Sequence, residues 1–253
     1  TEAVPKGEEQ PARVVDNNDP TGGGRVRVQF PWQEDKGQKT PWIRLIQPHS
    51  GAGKGFHFIP EIGEEVLVGH ESQNAEKPFV MGTHYNGSET SGYGTSDNSI
   101  KAIHTRSGHI LKFTEDESII LTDKSGNEMI FDTVGSNITV TAPETMTFNC
   151  KNMNINVGEN MTTSVGMNKS DSIGMNNTES VGAMKMTSVV GDASMFITGK
   201  LTEIIEGDVH SETKKGKTIF NSDGGLETNS QGTIFRFAEK EIRHNSQEKS
   251  KNH

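Results

Sequence analysis

Apolar and polar residues alternate along most of this chain, and nowhere do apolar residues recur at a helical spacing. In the segment Arg25–Phe30, Val26, Val28 and Phe30 occupy every second position, which is typical of a half-buried strand. Further short strands are predicted at 42–46, 56–59, 65–69 and 79–84, separated by turns rich in glycine and polar residues. Five or six short strands without a helix predict a small closed barrel over residues 12–87.

The pattern also predicts the segments around the barrel. Residues 1–11 are charged and aperiodic and are predicted to be a linker. Residues 88–103 are rich in glycine and serine and are predicted to be a flexible connector. Alternation resumes from Ile103, with strands near 109–113, 118–121 and 129–131 and a hairpin turn at Lys124–Asn127. Residues 104–156 are therefore predicted to begin a β-structured shaft, and residues 236–253 to form a polar tail.

After residue 156 the pattern acquires a period of eight residues. Three successive octads read VGENMTTS, VGMNKSDS and IGMNNTES over 157–180, and a fourth, VGAMKMTS, follows at 181–188. Beyond it only the glycine persists, with seven of nine intervals equal to eight residues and two equal to nine. The glycines of this repeat are Gly158, Gly166, Gly174, Gly182, Gly191, Gly199, Gly207, Gly216, Gly224 and Gly232.

A fixed short repeat indicates one structural step per unit, which buries its apolar side only against neighbouring units. Eight residues fit one short strand and a corner, and glycine suits a corner at which a Cβ atom would clash. The residue before each glycine is predicted to point into the shaft, with the small polar residues beside it and the charges outward. This predicts an octapeptide needle over 157–235, regular to residue 188 and looser from Val190 to Gly232. Its predicted core residues are Val157, Val165, Ile173 and Val181.

Composition narrows the possible functions. The net charge of −9 argues against nucleic acid as a partner, because phosphate binding needs a basic surface. Cys150 is the single cysteine, so no disulfide framework is predicted. No signal peptide is evident, and no apolar run is long enough for a membrane-spanning helix.

Candidate chemistry is sparse, and we predict no catalytic, cofactor-binding or metal-binding residue. The nine histidines form no zinc motif, and the triple glycine at 22–24 lacks the lysine and helix of a phosphate loop. Two alternatives to a purely structural role remain open. One is a trimeric phage-tail fibre or adhesin that binds surface carbohydrate, and the other is a β-helical enzyme that cleaves polysaccharide.

Several segments together resemble a known family. Residues 14–33, 41–70 and 77–87 are similar to the OB-fold domain of VgrG, the spike protein of the bacterial type VI secretion system. Residues 105–132 and the octads resemble the start and the body of its needle, which is also related to contractile phage tail spikes. The resemblance implies an all-β chain in which a small OB-fold barrel precedes an intertwined triple-stranded β-helix.

The same resemblance implies a function and partners. It implies a homotrimer that punctures membranes mechanically, without enzymatic activity or a cofactor. It implies a hub domain, missing from this chain and expected upstream of it, that docks on the tube protein. A PAAR-type tip protein or an effector is expected at the C-terminal end, near Phe235–Phe237. The protein is expected to assemble in the bacterial cytoplasm and to be delivered outside the cell into a target cell.

Overall fold

The computed structural model describes residues 5–245 and divides into two units, one ending at Met161 and one beginning at Thr162. Its ordered elements are β-strands and two short 3-10 helices, so the all-β fold class is confirmed. No helix in the described range is both long and apolar enough to cross a membrane.

A small barrel occupies the first part of the chain. Its sheet consists of strands β1 (Gln10–Asp16), β2 (Arg27–Gln29), β5 (Glu65–His70) and β6 (Pro78–Thr83), in the order β2-β1-β5-β6. A tight hairpin of β3 (Ser50–Gly51) and β4 (Lys54–Gly55) lies between β2 and β5 in sequence.

The segment from Ile43 to Leu45 closes this sheet. Ile43 pairs with Val26 next to β2, and Leu45 pairs with Val80 in β6, so both edge strands of the sheet gain a neighbour. The side chains that alternate inward along the strands form one core, and five valines of that core have no exposed surface. Burying apolar side chains is the main stabilising term in such a fold. The core consists of Ala12, Val14, Val26, Val28, Phe30, Ile43, Val66, Val68 and Val80.

Three elements of the barrel differ from the predictions. The predicted strand at 42–46 is reduced to two single bridges. The predicted strand at 56–59 is wrong, because Phe56 and Phe58 are exposed and no strand lies beside them to complete a ladder. The 3-10 helix Pro31–Lys36 was not predicted. Its start is fixed locally, since the Gln33 side chain accepts a hydrogen bond from the Phe30 amide.

A second sheet follows the barrel. It contains β7 (Ile100–His104), β8 (Ile110–Thr114), β9 (Ile119–Thr122), β10 (Glu128–Asp132) and β11 (Asn137–Thr141). Each strand pairs antiparallel with the next, so the sheet is a simple meander. The hairpin turn at Lys124–Asn127 is confirmed, while β7 begins within the stretch predicted to be a connector.

The turns of this meander recur every nine residues, a period that the sequence analysis missed. Thr105, Thr114, Asp123 and Asp132 each begin a turn. Three of these side chains accept a hydrogen bond from the amide four residues later, and Asp132 accepts one from the Gly135 amide. A short polar side chain that caps its own turn in this way fixes where one strand ends and the next begins.

From residue 142 to residue 245 the chain is extended and makes no ladder with itself. No strand and no backbone-to-backbone hydrogen bond occurs within this described stretch. Every described residue from 143 onward is exposed. The chain therefore supplies this segment with no core and no backbone partners for its peptide groups; a few serine side chains, such as Ser222 at Gly225, hydrogen-bond the backbone locally.

Candidate functional site

The ten predicted corner glycines all lie at bends of the backbone. Only Gly216 among them has a positive φ, of 116°. A Cβ atom added at nine of the ten positions would meet no heavy atom within 4 Å, and at Gly232 it would lie 3.9 Å from the Ser230 hydroxyl. The expectation that a Cβ would clash at these corners is therefore not met within one chain. Any crowding at these glycines has to come from another molecule.

The predicted core residues of the octads differ in exposure from the residues two places further on. Val157, Val165, Ile173 and Val181 are about half-exposed. In contrast, Met167 and Met175, at the third octad position, are 91% and 90% exposed. The β-branched residues therefore lie partly against their own chain, while these methionines project away from it.

Charged residues of the octads share one side of the extended chain. Lys169 and Asp171, two residues apart, form an ion pair of 2.6 Å. Glu179 of the third octad pairs with Lys185 of the fourth. Residues two apart in an extended chain point to the same side, so the fifth and seventh octad positions lie on one side. Exposed ion pairs of this kind stabilise a fold by only about 0–1 kcal/mol. They therefore affect the orientation of the chain more than its stability.

The meander has one apolar face, which we call the apolar sheet face. Residues directly opposite each other on neighbouring strands share a face, and the pairing connects two rows across all five strands. Nine of the ten members are apolar, and seven of those nine are exposed. Contiguous exposed apolar surface of this kind marks interaction sites in soluble proteins. The rows are Ile103, Leu111, Leu121, Met129 and Val140, and Lys101, Phe113, Ile119, Phe131 and Ile138.

The loop that carries the triple glycine is built around a buried carboxylate. The Asp19 side chain is 2% exposed and pairs with Arg25 at 2.8 Å. It also accepts hydrogen bonds from the amides of Thr21, Gly23 and Arg25. These bonds, with the Arg25 guanidinium foremost, hold the pKa of Asp19 far below its usual value. The amides of this loop are thus committed to Asp19, which gives the loop a structural role.

The remaining candidate groups are dispersed. Within residues 5–245 no three His, Cys, Asp or Glu side chains converge as metal ligands would. His104 hydrogen-bonds the Tyr93 hydroxyl at 3.1 Å, and the ring of His70 lies against Gly7. Cys150 is exposed in the extended stretch. The candidate functional surfaces of the described chain are therefore the apolar sheet face and the octads.

Comparison with known proteins finds one matching family model and several relatives. Residues 10–85 match the family model described as the type VI secretion system/phage-baseplate injector OB domain. The chain is 38% identical over 80 residues to the type VI secretion system spike protein VgrG2a of Pseudomonas aeruginosa, which covers 30% of this chain and 10% of that protein. It is 30% identical over 115 residues to the spike protein VgrG1a of the same species, covering 43% of this chain and 17% of the relative.

A further relative carries a different description. The actin cross-linking toxin VgrG1 of Vibrio cholerae is 30% identical over 112 residues, which is 43% of this chain and 10% of that protein. The chain thus spans no more than about a sixth of the length of these relatives.

Proposed function

We propose that this chain forms the barrel and needle of a VgrG-type spike of type VI secretion and acts mechanically, as a homotrimer whose three extended segments intertwine into a rigid β-helix. The matches confirm the resemblance to these spike proteins and support a structural role in that machinery. The observation that carries the proposal is the stretch from 142 to 245, which is regular in sequence yet has no internal backbone hydrogen bonds.

The free energy of folding disfavours an ordered structure for this stretch in a single chain. Fixing the backbone costs about 1–2 kcal/mol per residue, which amounts to the order of 100 kcal/mol over roughly a hundred residues. Every described residue from 143 onward is exposed, so a single chain offsets this with almost no burial. Its peptide groups also need partners once an apolar interior forms. Further copies of the same chain supply both, because a repeated strand is complementary to itself at every step.

The number of copies comes from the resemblance to the VgrG family, whose members are trimers. The apolar sheet face supplies a second surface to cover in the same assembly, since it leads through β11 directly into the extended stretch. Burying these faces together removes a large apolar surface from water, which is the dominant favourable term in association.

This function needs no catalytic residue in the chain. Rigidity along the needle comes from strands that pair with neighbours on both sides, and the contractile machine supplies the force. The proposed partners follow the family: a tube protein bound through an upstream hub domain, and a tip protein or an effector at the far end of the needle. Assembly in the cytoplasm and delivery out of the cell belong to the same proposal.

Two measurements test this function. Light scattering is expected to give a particle of three times 27.6 kDa, and a monomer at micromolar concentration would contradict the intertwined needle. In the bacterium that makes it, a tagged copy of the protein is expected in the culture medium when the sheath contracts and not when contraction is blocked. A trimer that leaves the cell without contraction, and that retains surface polysaccharide on a column, would show a fibre or adhesin instead.

A further inference from the structure

A ladder of β-branched residues runs further along the extended stretch than the regular octads do. Seven valines and isoleucines follow one another at intervals of eight residues without interruption. Their exposure falls in one narrow band of 44–55%, whereas other large apolar residues nearby, such as Met167 and Phe196, reach about 91%. We call this set the β-branched ladder. Its members are Val157, Val165, Ile173, Val181, Val189, Ile197 and Ile205.

The glycines do not keep a constant place relative to this ladder. Gly158, Gly166, Gly174 and Gly182 directly follow a ladder residue. Gly191, Gly199 and Gly207 follow one residue later, so that Val190, Thr198 and Glu206 stand where a glycine stood before. The nine-residue interval between Gly182 and Gly191 is thus a displacement of the glycine, while the ladder continues in step.

Counting from the glycines and counting along the ladder assign opposite orientations to the neighbours Val189 and Val190. Counting from the glycine makes Val190 the inward residue, because it directly precedes Gly191 as Val181 precedes Gly182. Counting along the ladder makes Val189 the inward residue. The structure separates them: Val189 is half-exposed like the other ladder members, and Val190 is fully exposed.

We infer that the β-branched ladder, and not the glycine, sets the register in which copies of this chain pack, and that its inward residues continue through Val189 and Ile197 to Ile205. The occupant of this surface is a second and a third copy of the same chain, and the inference therefore rests on the proposed needle.

The geometry of an extended strand explains why the ladder, and not the glycine, sets the register. Neighbouring residues of an extended chain point to opposite sides, so a register shift by one residue turns every inward side chain outward. Displacing a glycine by one place changes only which residue stands at the corner. Val190 and Glu206 occupy that corner with full side chains, and both are exposed in the single chain.

The ladder also fixes how far the interior is apolar. Eight residues beyond Ile205 the ladder position is Thr213, and after a further eight it is Asn221. The uniform apolar interior therefore spans seven steps, three more than the four regular octads. The looser part of the repeat begins after Ile205, and not at Val190.

Two adjacent valines test the inference with the same substitution. Val189→Asn is expected to lower the melting temperature of the trimer by at least about 5 °C, since an amide enters an apolar layer three times per particle. Val190→Asn is expected to leave it within about 1 °C. Ile173→Asn and Met175→Asn form a second pair within the regular octads, with the same expected contrast.

The outcomes separate the inference from the function on which it rests. A wild-type protein that is monomeric contradicts the proposed needle before any variant is compared. A trimeric wild type in which Val190→Asn is the damaging change, or in which both valine changes are equal, overturns the ladder and leaves the needle standing. If Val189→Asn gives no soluble protein, Val189→Ala and Val190→Ala are compared instead, with the same contrast expected on a smaller scale.

Discussion

The side chain of Asp19 orders a loop whose glycines give its backbone wide conformational freedom. Gly22 and Gly24, in the loop between β1 and β2, both have positive φ, of 68° and 70°. The carboxylate gathers the amides of Thr21, Gly23 and Arg25 around itself, and the Arg25 guanidinium neutralises its charge. The start of β2 is therefore held in place by a single acidic residue.

Replacing this carboxylate is expected to destabilise the barrel. Asp19→Asn removes the charge that Arg25 faces and one of the two oxygens that accept the loop amides. We expect the melting temperature of the barrel to fall by roughly 5–10 °C. Asp35→Asn, on the exposed side of the 3-10 helix, is the matched control and should leave it unchanged. Equal melting curves for both variants would contradict the role given to Asp19.

The same groups predict how the protein responds to acid. Hydrogen bonds from Ser125 and Asn127 lower the pKa of Asp123, and those from Arg25 lower the pKa of Asp19, both from a usual value of 3.8. A carboxyl whose pKa is lower in the folded state stabilises the fold above its unfolded pKa, and this contribution is lost as the pH falls below that value.

Stability of the first unit is therefore expected to be flat from pH 7 to about pH 5 and to fall steeply below pH 4. Urea unfolding at a series of pH values measures this, and in Asp19→Asn the acid-dependent loss should be smaller. A loss that begins above pH 6 would contradict the role given to these two carboxylates.

At the scale of the elements, the meander presents a sheet with unequal faces. Its apolar sheet face is exposed in the single chain, whereas the opposite face mixes isoleucine with Lys112, Glu128 and threonines. A sheet that packs on nothing usually carries polar residues on its open side. The unequal faces indicate that the exposed side is covered in the assembled protein.

Neighbouring residues on the two faces test this. Leu121→Asn places an amide in the middle of an apolar row, and Thr122→Asn makes the same residue on the opposite face. We expect Leu121→Asn to shift the trimer towards smaller species in sedimentation velocity at micromolar concentration, because burying an unpaired amide is costly. Thr122→Asn should sediment as the wild type does. Unchanged sedimentation of both variants would show that the face is open in the trimer.

Strands that alternate in sequence and also pair with a neighbouring strand were predictable from the sequence. Examples are Glu65–His70 and Pro78–Thr83. Phe56 and Phe58 also alternate but have no strand beside them, and alternation alone does not supply a hydrogen-bonding neighbour. The first strand, Gln10–Asp16, lay partly in a stretch that looked like a linker, because Pro11 and Arg13 break the apolar pattern while pairing with β5 fixes the backbone. The nine-residue period was hidden because its turn caps differ, with threonine at the first two turns and aspartate at the last two.

The repeat was predictable as a period but not as a register. Glycine is the most conspicuous residue of each octad. Its displacement suggested that the regular repeat gives way to a looser one from Val190. The exposure of individual side chains shows instead that Val189, Ile197 and Ile205 behave as Val157 does. The sequence contains both the period of the glycines and the period of the β-branched ladder. Only the exposure of the side chains distinguishes the two.

For the whole molecule, the barrel and the stretch from 142 to 245 have different requirements for folding. The barrel has its own core of nine buried apolar residues. The stretch from 142 to 245 has none of its own, and in the proposed needle its order depends on encounters between chains. Barrel and needle are therefore expected to form by kinetically distinct steps.

Refolding at different concentrations tests this division. After dilution from urea, tryptophan fluorescence should recover at a rate independent of concentration, because Trp32 and Trp42 lie in the barrel. The β signal in circular dichroism from the needle should recover faster as the concentration rises. If both signals recover at one rate that does not change with concentration, the needle forms within a single chain.

In the proposed trimer the stretch from 142 to 245 acquires order only from other copies of the same chain, and this has a genetic consequence. When a cell makes a normal and a damaged version of such a chain, the two enter the same particles, and one damaged member perturbs the strands of its companions. Alleles that alter the β-branched ladder should therefore be dominant over the normal gene, whereas alleles that only unfold the barrel should be recessive because their products never join a particle.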